Sequence, residues 1–197
     1  MKRGVILSVV RGAFGFTAGA AMAVALGARW LGTAGAHTVA AVPPNGAGAL
    51  ALVGFLLSGA VGAVAVTLGK VPTRVVIRAA LFFSAGIAIA FAAAFIASSI
   101  GFNHQTMRSD YAWTVAGFAA AYAAGGAVGG SALGSRQAFL AALSFGIAGA
   151  LGGTLVALSS NHFPAGQLAL IGAVFVPNAV GGALFGAFIA ARPSRPN

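Results

Sequence analysis

The chain contains no cysteine and a single acidic residue, Asp110. Without cysteine there is no thiolate nucleophile, no iron–sulfur ligand set and no disulfide. One carboxylate excludes mechanisms that need two, glycoside hydrolysis among them. Carboxylate metal cages and the Asp/Glu relays of proton-driven pumps are excluded with it. Neither a P-loop nor an HExxH pair is present. Charge is scarce as well, at 6% of residues, where a soluble domain carries roughly 25%. That is too little to cover a water-facing surface, and the chain does not read as an enzyme.

What is present is apolar. Of 197 residues, 59% are hydrophobic and 30 are glycine. Several apolar runs exceed the ~18–20 residues needed to cross a bilayer. The breaks between them predict six transmembrane helices near 12–34, 47–69, 79–101, 112–134, 138–159 and 167–190. Turn chemistry marks these breaks, in Val42-Pro43-Pro44-Asn45-Gly46, Lys70-Val71-Pro72-Thr73-Arg74 and Gly134-Ser135-Arg136. The connections are short, so neighbouring spans are expected to form antiparallel hairpins. The predicted fold is all-α, a polytopic helical bundle forming one transmembrane domain over residues 1–197.

The eleven Lys and Arg residues give a net charge of +10, but they are not spread evenly. Lys2, Arg3, Arg11, Lys70, Arg74, Arg78, Arg136, Arg192 and Arg195 fall on one side of the predicted topology, Arg29 and Arg108 on the other. Nine against two predicts a multi-pass protein of the inner (plasma) membrane with both termini cytoplasmic. It also disfavours nucleic acid as a partner, since the charges mark helix ends rather than one basic face. The expected contacts are the bilayer and its anionic headgroups, with Arg11, Arg78 and Arg136 as lipid- or anion-contacting residues. A cleavable leader would need an uninterrupted apolar stretch, and Arg11 splits the amino-terminal one. The first helix is therefore expected to be retained.

Three segments align without gaps from Arg11, Arg78 and Arg136, and each ends in a histidine 26 residues later, at His37, His104 and His162. Between them Phe14, Leu81 and Phe139 share one column, and Gly19, Gly86 and Ser144 another. The partner helices share a looser motif: SGAVGA from Ser58, GGAVGG from Gly125 and GGALFG from Gly181. The expectation is three hairpin repeats, about 11–69, 78–134 and 136–190, around a pseudo-threefold axis. Twenty-six helical residues span roughly 39 Å, which sets Arg and His at opposite interfaces.

Few residues carry chemistry. Pro177-Asn178 interrupts the sixth span without a counterpart in the other copies, the pattern of a broken-helix substrate site. Asn178 and Pro177, with Thr17, Ser84 and Tyr122, make up a candidate substrate path. His37, His104 and His162 are candidate ligands for a metal, haem or pigment, although no carboxylate other than Asp110 is available to support them. This makes a cofactor the disfavoured reading. Asp110 is expected to cap the fourth helix. Gly125, Gly129, Gly181, Gly182 and Gly186 form small faces on which helices pack closely.

Two functions follow from this pattern. The first is a channel-like or passive transport protein for a small solute or ion. The second is a non-catalytic structural or accessory subunit of a larger membrane complex, or a homo-oligomer, holding its partners through the glycine faces and contacting pigment, haem or metal through the histidines.

Overall fold

The computed structural model describes residues 2–33, 44–100, 102–103, 108–162 and 171–191. These form six helices: α1 (Lys2–Thr33), α2 (Pro44–Thr67), α3 (Thr73–Ile100), α4 (Tyr111–Ser131), α5 (Ser135–His162) and α6 (Val176–Ala190). A π-helical turn, Ile171–Phe175, leads into α6, and a two-residue antiparallel ladder pairs Phe102–Asn103 with Arg108–Ser109. Among the described residues four helical stretches are long and apolar enough to cross a membrane: Gly4–Met22, Thr73–Ala94, Ser135–Ser159 and Ile171–Ala190. Val53–Thr67 in α2 is apolar but shorter. Apart from that short ladder the described residues form helices and turns, and the apolar helices suit a lipid bilayer.

Helix starts differ from the expectation at α1 and α3. Helix α1 runs unbroken from Lys2 through Arg11, rather than beginning near residue 12. Arginine has good helix propensity, so a charge that ends an apolar run need not end a helix. Likewise α3 begins directly after Pro72, whose carbonyl accepts from the Val75 and Val76 N–H groups at 2.8 and 3.1 Å. Arg74 and Arg78 therefore lie within its first two turns. The α2–α3 and α4–α5 turns each use a glycine at positive φ, Gly69 at 77° and Gly134 at 118°. At the opposite end Asp110 caps α4 as expected, its Oδ1 accepting the Trp113 N–H at 2.8 Å. The Trp113 indole Nε1–H donates to Ala97 O near the end of α3, at 2.8 Å.

Each helix packs on its neighbour in sequence, and α6 returns to pack on α1, closing a ring. Contacts at the ends fix the polarity. Lys70, after α2, reaches Ser8 near the start of α1, and Gly186, late in α6, lies against the Ser8 carbonyl. Arg11, Lys70, Arg74, Arg78 and Arg136 thus share one end of the bundle, with Asp110 at the other.

Small residues set how closely the helices approach. Gly86 of α3 and Gly125 of α4 are so close that a Cβ on either would meet the other's carbonyl oxygen. Gly12 of α1 and Gly182 of α6 stand in the same relation, as do Gly152 of α5 and Gly172 of the π turn. Gly19 lies on the Ser58 backbone. In lipid there is little hydrophobic drive between helices, so backbone approach of this kind supplies dispersion contact that larger residues would prevent.

The outside is apolar and the inside is small or aromatic. Phe14, Leu81 and Phe139, aligned in sequence, are 73%, 65% and 67% exposed. The small column Gly19, Gly86 and Ser144 is buried in all three helices.

Candidate functional site

The centre of the ring is filled by phenylalanine. Phe16 of α1, Phe83 of α3, Phe145 of α5 and Phe185 of α6 are fully buried. Phe16 and Phe83 meet edge-on with ring centroids 5.5 Å apart, and Phe16 and Phe145 do so at 5.2 Å. Phe83 also packs on Phe185 at 5.3 Å and on Phe145 at 6.1 Å. Three of these rings lie where a glycine leaves room: Phe16 over Gly62, Phe83 over Gly129 and Phe145 over Gly181. A Cβ at any of those glycines would enter the ring above it.

The four rings also have a pattern in sequence. Phe16 and Phe83 each lie five residues beyond the arginine that opens their segment, and Gly62 and Gly129 share one motif position. In the third hairpin the matching residues are Ala141 and Phe185, so large and small have changed sides. Phe145 and Gly181 then add a second aromatic–glycine pair one turn further along.

Asn178 and Pro177 are both buried beside this cluster, with Asn178 0% exposed. In a regular α-helix residue 177 would donate to the Ala173 carbonyl, which proline cannot do. Tyr122 of α4 supplies a donor instead, its Oη–H reaching Ala173 O at 2.7 Å. Asn178 Nδ2–H donates to Val174 O at 2.7 Å, one turn back. Its Oδ1 lies 3.1 Å from Ser58 Oγ, whose proton is shared with the nearer Phe16 carbonyl at 2.7 Å. The interruption leading into α6 is therefore bonded from across the bundle, by Tyr122 of α4 and Ser58 of α2. Such satisfaction is what a proline inside a membrane helix requires.

The structure thus brings Asn178, Pro177 and Tyr122 together around one irregular turn. Ser84 lies elsewhere and donates to Leu56 O on α2 at 2.7 Å. Thr17 adjoins Phe16, and its hydroxyl is buried without a hydrogen-bond partner, as is that of Thr114 in α4. Of the candidate path residues, the side chains of Asn178, Tyr122 and Ser84 are spent on helix-to-helix or within-helix bonds.

At the basic end the guanidinium of Arg78 lies 5.3 Å from the Phe82 ring centroid, while Arg136 is exposed near the start of α5. Arg11 borders a cavity between α1 and α2. His37 and His104 lie outside the described residues, and His162 is described only as the last backbone position of α5. Among the described residues no three His, Cys, Asp or Glu groups cluster to hold a metal. Gly125, Gly129, Gly181, Gly182 and Gly186 are all buried at helix contacts.

Sequence reasoning passed over the phenylalanines and Ser58. The shared spacing of Phe16 and Phe83 was available as a signal, but Ala141 breaks the column in the third segment. Ser58 stands where the other two motifs carry glycine, and that lone hydroxyl was a second signal.

In comparisons with known proteins, no family model, characterised protein or solved structure matches the chain.

Proposed function

We propose that the chain is a non-catalytic integral membrane protein that serves as a structural or accessory subunit of a larger membrane assembly. The observation that carries this reading is the packed axis: four phenylalanine rings stand where a pore would run. The Asn178 amide and the Ser58 and Tyr122 hydroxyls beside them are tied to backbone carbonyls, and among the described residues the Thr17 and Thr114 hydroxyls are the buried ones left unbonded. A passive path through Asn178 would require the rings to part and Asn178 to leave the Val174 carbonyl.

The finer architecture in this proposal is six spans arranged as three hairpins around a pseudo-threefold axis. Its support is the recurrence of two pairings, Phe16 over Gly62 with Phe83 over Gly129, and Gly19 against Ser58 with Gly86 against Gly125. The columns exposed in all three segments, and buried in all three, agree with it. The basic end is assigned to the cytoplasmic face of the inner membrane, with both termini there, on the charge asymmetry. Partners would be other apolar subunits or further copies of the chain, seated on the outer face that carries Phe14, Leu81 and Phe139.

Gentle extraction from native membranes in a mild neutral detergent tests the role. The expected result is co-migration with defined partner subunits, or as a discrete homo-oligomer, through two successive separations. Migration as a lone monomer in every mild detergent tried would count against it.

A further inference from the structure

The basic end holds a feature that the packed axis does not explain. A cavity of 460 Å³ opens between α1 and the end of α2, lined by Arg11, Ala65, Leu68 and Gly69. This lies within the roughly 300–1,000 Å³ of small-molecule sites. Lys70 follows Gly69, and its ammonium donates to the buried Ser8 hydroxyl at 2.6 Å, which ties the turn to α1. Arg11 is three residues beyond Ser8, just under one helical turn, so its charge is felt at Lys70; Arg11 lines the cavity and Lys70 follows its Gly69 edge. The lysine pKa is held below its ordinary value, first by burial and then by the Arg11 charge.

Among the described residues neither cation has an acidic partner within reach. The only Asp or Glu of the chain is Asp110, which caps α4 at the far end of the bundle. Two like charges brought together and partly desolvated are unfavourable unless an anion accompanies them. The other cations nearby are differently placed: Arg78 lies over Phe82, and Arg74 is exposed on α3. The cavity wall is apolar where Ala65 and Leu68 form it, and Leu68 is 60% exposed beside it. Cations at the rim and aliphatic carbon along the wall fit a molecule with an anionic head and a hydrocarbon body.

We propose that this cavity binds the headgroup phosphate of an anionic phospholipid. Arg11 and Lys70 hold the phosphate oxygens, with charge-assisted bonds from the guanidinium and ammonium. Ala65 and Leu68 contact the glycerol and first acyl carbons, and the small turn residue Gly69 leaves the rim open. The inference rests on the helices crossing a bilayer and not on the accessory role, so either can fail without the other.

The test uses the full chain, purified in neutral detergent, stripped of lipid and mixed with equal phosphatidylglycerol and phosphatidylcholine. Native mass spectrometry reads which lipid is retained. The expected preference for phosphatidylglycerol is at least about tenfold, equivalent to roughly 1.4 kcal/mol. Arg11→Gln combined with Lys70→Gln should bring it close to parity, while Arg108→Gln, at the opposite end of the bundle, leaves it unchanged. Millimolar inorganic phosphate should not displace the lipid. No preference in the wild-type protein overturns the proposal, as does a preference that survives in a folded double variant. Displacement by inorganic phosphate would reassign the cavity to a free anion and overturn the lipid. Should the double variant fail to fold, Lys70→Gln alone and the wild-type preference decide the question.

Discussion

Leucine in place of Gly182 is expected to abolish the closed bundle, and alanine there to weaken it by about 2–3 kcal/mol. Gly182 meets Gly12 backbone to backbone, across the seam that joins α6 to α1. A Cβ at either glycine runs into the other's carbonyl, and a Cβ at Gly182 also presses on the Phe16 ring at 2.8 Å. The Gly12 carbonyl has no rotamer with which to yield, so the helices must separate. Separation forfeits the close dispersion contact that holds membrane helices together. The neighbouring contact of Gly186 on the Ser8 carbonyl would open with it. Thermal unfolding in detergent should lose its cooperative transition for Gly182→Leu. Gly4→Ala provides the control, because nothing lies within 4 Å of a Cβ at that position. That variant should be neutral or slightly more stable, as alanine is the better helix former.

The second large effect is expected at Phe83, which touches Phe16, Phe145 and Phe185 and fills the space above Gly129. In a water-soluble core Phe→Ala costs roughly 3–5 kcal/mol, part of it transfer and part cavity. In a membrane the transfer part is largely absent, because the unpacked side chain still faces hydrocarbon. What remains is the cavity and the lost aromatic contacts. Phe83→Ala should therefore cost about 2–3 kcal/mol. Phe14→Ala, at a position 73% exposed on the outer face, should cost far less. Equal losses at the two positions, read from the same detergent unfolding transition, would contradict a packed axis.

Much of the fold was legible because it depends on local chemistry. The Lys70–Arg74 break and Gly134 marked turns, although Gly69, at positive φ, was placed at the end of the second helix, and Asp110 marked a helix start that needs an acceptor. Apolar periods located the helices, but their beginnings were misplaced at α1 and α3. There the apolar run stops at a cation while the helix, held by its own backbone bonds, continues. The site was less legible. Pro177 and Asn178 stood out as an interruption, yet whether such a break serves a substrate or is bonded internally depends on groups far away in sequence. Tyr122 is 51 residues from Ala173, and Ser58 is 120 from Asn178. Spacing along the chain does not carry that information. The aromatic axis was hidden for a related reason, since Phe185 replaces glycine in one motif while Ala141 replaces phenylalanine in the matching helix.

Solute flux tests the central claim, a bundle sealed along its axis. The full chain is reconstituted into sealed liposomes, and leakage of small ions and neutral solutes is followed against protein-free vesicles. A sealed bundle predicts leakage equal to the protein-free control at every protein-to-lipid ratio. Flux that rises with protein content and falls on Asn178→Ala would contradict it.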